Sequence, residues 1–95
     1  MKSNIEFGRY IQQLRKENHY TLKVVAEKLE IDVSMLSKIE HGERQVNTTI
    51  LKRLAKMFDL DFRELQINYL RQKIHNEFGG QPFLKETLEH YLKSI

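Results

Sequence analysis

Apolar residues recur at intervals of three and four along nearly the whole chain, and no segment alternates convincingly, so the pattern predicts an all-α protein. Phe7, Tyr10, Ile11 and Leu14 make the stripe of a first helix over residues 4–17, with Ser3 and Glu6 spaced as a capping box. Thr21 caps a second helix over 22–29, whose stripe is Leu22, Val25, Ala26 and Leu29. Asp32 caps a third, and Gly42 ends it in a left-handed conformation. Its Leu36 and Ile39 face one way, with Met35 beside them. Val33, Ser34, Ser37, Lys38 and His41 face the other way. Asn47 or Thr48 caps a fourth helix that buries Ile50, Leu51, Leu54, Ala55 and Phe58.

From Asp61 a longer helix runs to Phe78 and stops at Gly79-Gly80. It carries two stripes. Phe62, Leu65 and Tyr69 can close the core of the first four helices, whereas Ile67, Leu70, Ile74 and Phe78 need a different partner. Pro82 suits the first turn of a last helix with a single stripe of Leu84, Leu88, Tyr91, Leu92 and Ile95. Two such segments make little core between themselves. Pairing with the same segments of a second copy, as a two-fold homodimer, is the expectation; an intrachain hairpin folded back on the first domain is the alternative. The chain thus divides into residues 1–66 and a C-terminal helical dimerisation extension, 67–95.

Composition narrows the function classes. The 95 residues suffice for one domain with a modest core, and 40% hydrophobic with 31% charged residues reads as globular. No apolar run approaches the roughly 20 residues of a membrane span, and no signal-peptide pattern opens the chain. Without cysteine there is neither a disulfide nor a thiolate metal site, and the expected location is cytoplasmic. Residues 1–60 hold 11 Lys/Arg and 8 Asp/Glu, while residues 61–95 hold 5 of each, so the basic excess lies with the short third helix. That is a weak pointer to an anionic partner, since Lys-rich soluble helices show the same excess.

"TLKVVAEKLEIDVSMLSKIEHG" reads as helix, three-residue turn, helix. Small Ala26 lets the two helices cross closely, and Leu29, Ile31, Leu36 and Ile39 wedge them. Such a pair can set its second helix in a DNA major groove while the first crosses the backbone. Short polar side chains on the outward face let that helix approach base edges.

With "VAEKLEIDVSMLSKIEHGER" and the following "ILKRLAKMFDLDFREL", the chain resembles the Cro/repressor-type (XRE) helix-turn-helix family over about residues 5–66. The resemblance implies a five-helix, lambda-repressor-like domain that binds double-stranded DNA. It places base contacts on Val33, Ser34 and Lys38, and phosphate contacts on Thr21, Lys23, Ser37, Arg44, Asn47 and Thr48. Each also has a plain reading as a solvated surface residue. Val33 and Leu22 stand where the family often has Gln, and Glu30 stands at a turn position usually held by Gly, which implies left-handed backbone strain there. The family's Arg–Glu ion pair falls on Arg15 and Glu40, read as structural.

The C-terminal "DLDFRELQINYLRQKIHNEFGGQPFLKETLEHYLKSI" resembles the tail of controller proteins of bacterial restriction-modification systems. These are small dimeric regulators that bind operators upstream of their own and the nuclease genes. The resemblance implies a pseudo-palindromic operator, and cooperative binding of a second dimer. An antitoxin or other protein-interaction module, and a phage-type repressor, are the competing readings. Catalysis is not expected: Ser37 and His41 share a face but lack an orienting acid and a pocket. No cofactor, metal or small-molecule ligand is expected, because His75 and His90 have no partner at metal-motif spacing.

Overall fold

Thr21, Asp32, Asn47 and Asp61 each stand one position before a helix. Their side-chain oxygens accept the backbone N–H groups of Val24, Met35, Ile50 and Glu64 at 2.7–3.2 Å. Each bond satisfies one of the donors that a helix start leaves without an intrahelical partner. The structure is a computed structural model describing residues 5–95. Among these it holds six helices and no strand: α1 (Ile5–Glu17), α2 (Leu22–Leu29), α3 (Val33–Glu40), α4 (Thr48–Met57), α5 (Phe62–Phe78) and α6 (Leu84–Ser94). The expected Ser3 cap and Asn4 start of α1 lie outside the described residues.

One open choice is resolved and one expected start moves. Asn47, not Thr48, caps α4: Asn47 has extended backbone and its Oδ1 reaches the Ile50 N–H, while Thr48 is already helical. Pro82 is not in the first turn of α6. The Gln81 N–H donates to the Phe78 carbonyl at 2.9 Å in a turn that ends just before it, and helical geometry returns only at Leu84. Phe83 takes the N-cap position at φ 61° without a side-chain cap bond.

The first four helices end alike. His19, Glu30, Gly42 and Asp59 have positive φ, and the next N–H donates back over the turn: Tyr20 to Arg15, Ile31 to Ala26, Glu43 to Lys38, Leu60 to Ala55, at 2.8–3.0 Å. These closures satisfy carbonyls at the helix ends, and three of them use a non-glycine residue that costs roughly 1–2 kcal/mol in this conformation. At Glu30, Arg53 of α4 steadies the turn by donating to the Leu29 carbonyl and pairing with the Glu30 carboxylate, both at 2.9 Å.

Val25, Ala26, Leu29, Leu36, Ile39, Ile50, Leu51, Leu54 and Ala55 form the core with Phe7 and Ile11 of α1 and Leu65 and Tyr69 of α5. Tyr10, expected in the α1 stripe, is 40% exposed, and Leu14 and Phe58 are half-buried. Gly8 lies on the buried face of α1. A Cβ there would stand 2.4 Å from the Ile39 carbonyl oxygen and 2.6 Å from that of Glu40, so only glycine lets α1 rest on the end of α3.

The division of α5 into two stripes holds. Leu65 and Tyr69 are buried and Phe62 is half-buried against the core, whereas Ile67, Leu70 and Phe78 are 46–48% exposed. The helix runs unbroken through residues 66 and 67, and Tyr69, beyond that point, still belongs to the core of the first helices. α6 packs extensively against no other helix. The molecule is accordingly drawn out: its radius of gyration is 14.8 Å, against about 12 Å for a compact chain of this length. No described helix is long and apolar enough to cross a membrane.

Candidate nucleic-acid interface

α3 has only eight residues, too few to stand alone, and it is held in three ways. Leu36 and Ile39 are sealed between α2 and the core. α1 meets its end at Gly8. The third hold is electrostatic: Arg15 Nε donates to Glu40 Oε2 at 2.7 Å and Arg15 Nη2 to Oε1 at 3.1 Å, a two-pronged pair. The side chains are 12% and 2% exposed. Arg15 also donates to the Tyr20 carbonyl at 3.1 Å. The hydrogen bond to Glu40 raises the Arg15 pKa, against the opposing effect of burial. Of the sequence-derived pairs, this one is brought together in full.

With one side of α3 so held, the other is presented. Val33 is 42% exposed, Ser34 and Lys38 are exposed, and Ser37 is half-exposed. Neither α5 nor α6 packs extensively against α3. The exposed His41 ring engages the Ser37 backbone carbonyl through Nδ1 at 2.7 Å and not the Ser37 hydroxyl. A carbonyl only accepts, so Nδ1 carries the hydrogen. This geometry ties the ring to the helix end and does not join the two side chains as nucleophile and base.

Around α3 lie the remaining candidate contacts. Thr21 and Asn47 use an oxygen for capping. The threonine hydroxyl hydrogen and the asparagine amide group remain as outward donors. Lys23, Arg44 and Thr48 are exposed. Arg44 and Gln45 belong to the α3–α4 loop, which Gly42 starts at φ 74° and Val46 anchors by its buried side chain. The Val46 N–H donates to the Tyr69 hydroxyl at 3.2 Å, and Lys73 Nζ donates to Gln45 Oε1 at 2.5 Å. Burial raises the Tyr69 pKa, partly countered by the bond from Val46.

A second surface lies at the far end. Ile74, Phe78, Leu84, Leu88 and Tyr91, all expected at a dimer contact, line one open groove of about 460 Å³ between the end of α5 and α6. Ile67, Leu70, Leu92 and Ile95 are exposed outside it. The stripes are thus gathered on one arm of the molecule, where Ile74 and Leu84 are half-buried and the others are exposed.

Sequence reasoning missed Gly8, Arg53, Gln45, Lys73 and the hydroxyl of Tyr69. Tyr69 carried one available signal, being a residue with a polar tip inside a stripe that ends in the core. The others depend on long-range contacts.

A protein-family model described as helix-turn-helix matches residues 11–65. Two curated proteins, both named HTH-type transcriptional regulator RamB and from the CDC 1551 and H37Rv strains of Mycobacterium tuberculosis, are 35% identical over 54 residues. The aligned stretch is 57% of this chain and 11% of either relative, so the likeness concerns one small part of those longer proteins. No solved structure matches the chain significantly.

Proposed function

The chain belongs to the XRE-type helix-turn-helix family, and from that premise we propose that it is a sequence-specific DNA-binding transcriptional regulator acting as a homodimer. Its work is binding and not catalysis, and its place is the cytoplasm. The observation that carries this reading is the asymmetry of α3: one side locked by Leu36, Ile39 and Glu40, the other exposing Val33, Ser34 and Lys38. In the groove, Val33 meets a thymine methyl, and Ser34 and Lys38 read base edges. Thr21, Lys23, Ser37, Arg44, Asn47 and Thr48 set the register through phosphates, helped by the helix N-termini.

The α5–α6 arm supplies the two-fold contact. The accessible surface of 7067 Å² exceeds the ~5800 Å² of a compact monomer of this mass by roughly 1300 Å², more than the ~800 Å² each partner buries in a standard interface. Two copies of α3 then stand about 34 Å apart on a pseudo-palindromic operator. The resemblance of the C-terminal third supports the finer role of a restriction-modification controller, with an operator near its own gene and a second dimer beside the first. The same open groove also suits the helix of a foreign protein, as in an antitoxin. A stable homodimer in sedimentation favours the regulator, and aggregation relieved only by a partner favours the module.

Selection of bound sequences from a random DNA pool tests the reading: two related half-sites should emerge, and failure to enrich any sequence at low salt would sink it. On the selected operator, Lys38→Ala should cost about 1–3 kcal/mol and relax preference at one position per half-site. Arg44→Ala should weaken all sequences alike and lower the salt slope by about one per protomer. Binding titrations over a salt series separate these two behaviours.

A further inference from the structure

We infer that Tyr69 and Lys73 of α5 are positioning residues for DNA binding: they hold the α3–α4 loop at the height from which Arg44 reaches a phosphate. This rests on the DNA-binding reading above. The loop is short, and its ends are set by Gly42 and by the Asn47 cap. Between them it is tied to α5 at two successive residues. The Val46 N–H donates to the Tyr69 hydroxyl, and the Gln45 side chain accepts from Lys73.

Tyr69 is itself rigid. It is 5% exposed, and its ring meets Phe7 edge-on, with centroids 4.8 Å apart and planes at 64°. The hydroxyl is therefore a fixed post fastened to the core. A buried backbone N–H deprived of its acceptor does not stay in place but turns toward water, carrying the loop with it. Lys73 lies one turn further along α5 and holds the outer edge of the loop, while Glu77 stands 3.8 Å from its ammonium group. Leu70 and Ile74 of the arm are the immediate chain neighbours of these two residues, so one helix carries both the loop's anchor and the apolar arm.

Tyr69→Phe removes one oxygen and no charge, so long-range electrostatics are unchanged. It should weaken binding to the selected operator by roughly 5- to 20-fold at a temperature well below its melting point, the worth of a stranded buried donor. In an Arg44→Ala background the same change should cost almost nothing, because the group being positioned is gone. Gln45→Ala, a surface change that leaves the core intact, should cost about two- to fivefold and be absorbed by Arg44→Ala in the same way. Both variants should sediment as the unaltered chain does.

Three outcomes overturn the inference: affinity equal to the unaltered chain, losses that multiply with that of Arg44→Ala, or losses that follow dissociation of the dimer. Absence of binding by the unaltered chain instead overturns the DNA-binding reading, and that arm tells the two failures apart.

Discussion

Glutamate in place of Leu70 and Leu88 (Leu70→Glu with Leu88→Glu) should yield a folded monomer whose operator affinity is lower by about 10²- to 10⁴-fold, the avidity lost when two linked half-sites become independent. Both residues are 40–46% exposed and contribute little to their own chain's core, so the melting curve at low protein concentration should hardly move. The two-fold axis doubles the effect. Each new carboxylate appears twice in the contact, and every leucine removed forfeits roughly 1.5–3 kcal/mol of apolar burial on association. Sedimentation equilibrium reports the monomer, and titration against full and half operators reports the affinity. The full operator should then bind no better than a half. Persistence of a dimer in the double variant would remove the α5–α6 arm from the interface.

The second large effect concerns α3 itself. Glu40→Gln should destabilise the chain by about 3–5 kcal/mol, because it leaves the part-buried Arg15 guanidinium facing a neutral amide. Domains of this size hold about 5–15 kcal/mol in all, and each kcal/mol moves the midpoint by roughly 4–8 °C, so a fall of more than about 12 °C is expected. Replacing both partners by apolar residues, Arg15→Met with Glu40→Leu, should recover much of the loss, since the desolvation penalty leaves with the charges. Urea unfolding of the parent, Arg15→Met, Glu40→Leu and the double variant measures the coupling. A Glu40→Gln variant within about 0.5 kcal/mol of the parent would show that Gly8 and the apolar wedge alone hold α3 in place. The guanidinium side of the pair is insensitive to ordinary pH. A raised Arg15 pKa means that its stabilisation is fully present below the unfolded value and is lost only as pH rises through the folded one.

Much of this was legible in the residues. Helix starts are local: an oxygen on Thr21 or Asp32 needs only the N–H three positions on, so those caps could be read directly, whereas Asn47 stood level with Thr48, and Asp61 read as the first residue of its helix and not as its cap. The two stripes of α5 could be read because helical periodicity sorts side chains before any partner is known. Gly8 could not. An empty Cβ position has meaning only once the Ile39 and Glu40 carbonyls arrive from more than thirty residues away. Tyr10 differs for the same reason: it lines an open groove with Leu60, Asp61, Glu64 and Leu65, which leaves it 40% exposed.

By itself the sequence determined to within a residue where α2 to α5 begin, which face of each is apolar, and which side of α3 is left for something else, because these depend on bonds and spacings within a few residues. Only the tertiary structure decided that Arg15 grips Glu40 with both prongs, that Gly8 lets α1 and α3 touch, and that Tyr69 and Lys73 of α5 hold the loop beside α3. Those contacts join groups some 23 to 32 positions apart, and a chain's pattern carries no distance between such groups until packing sets one.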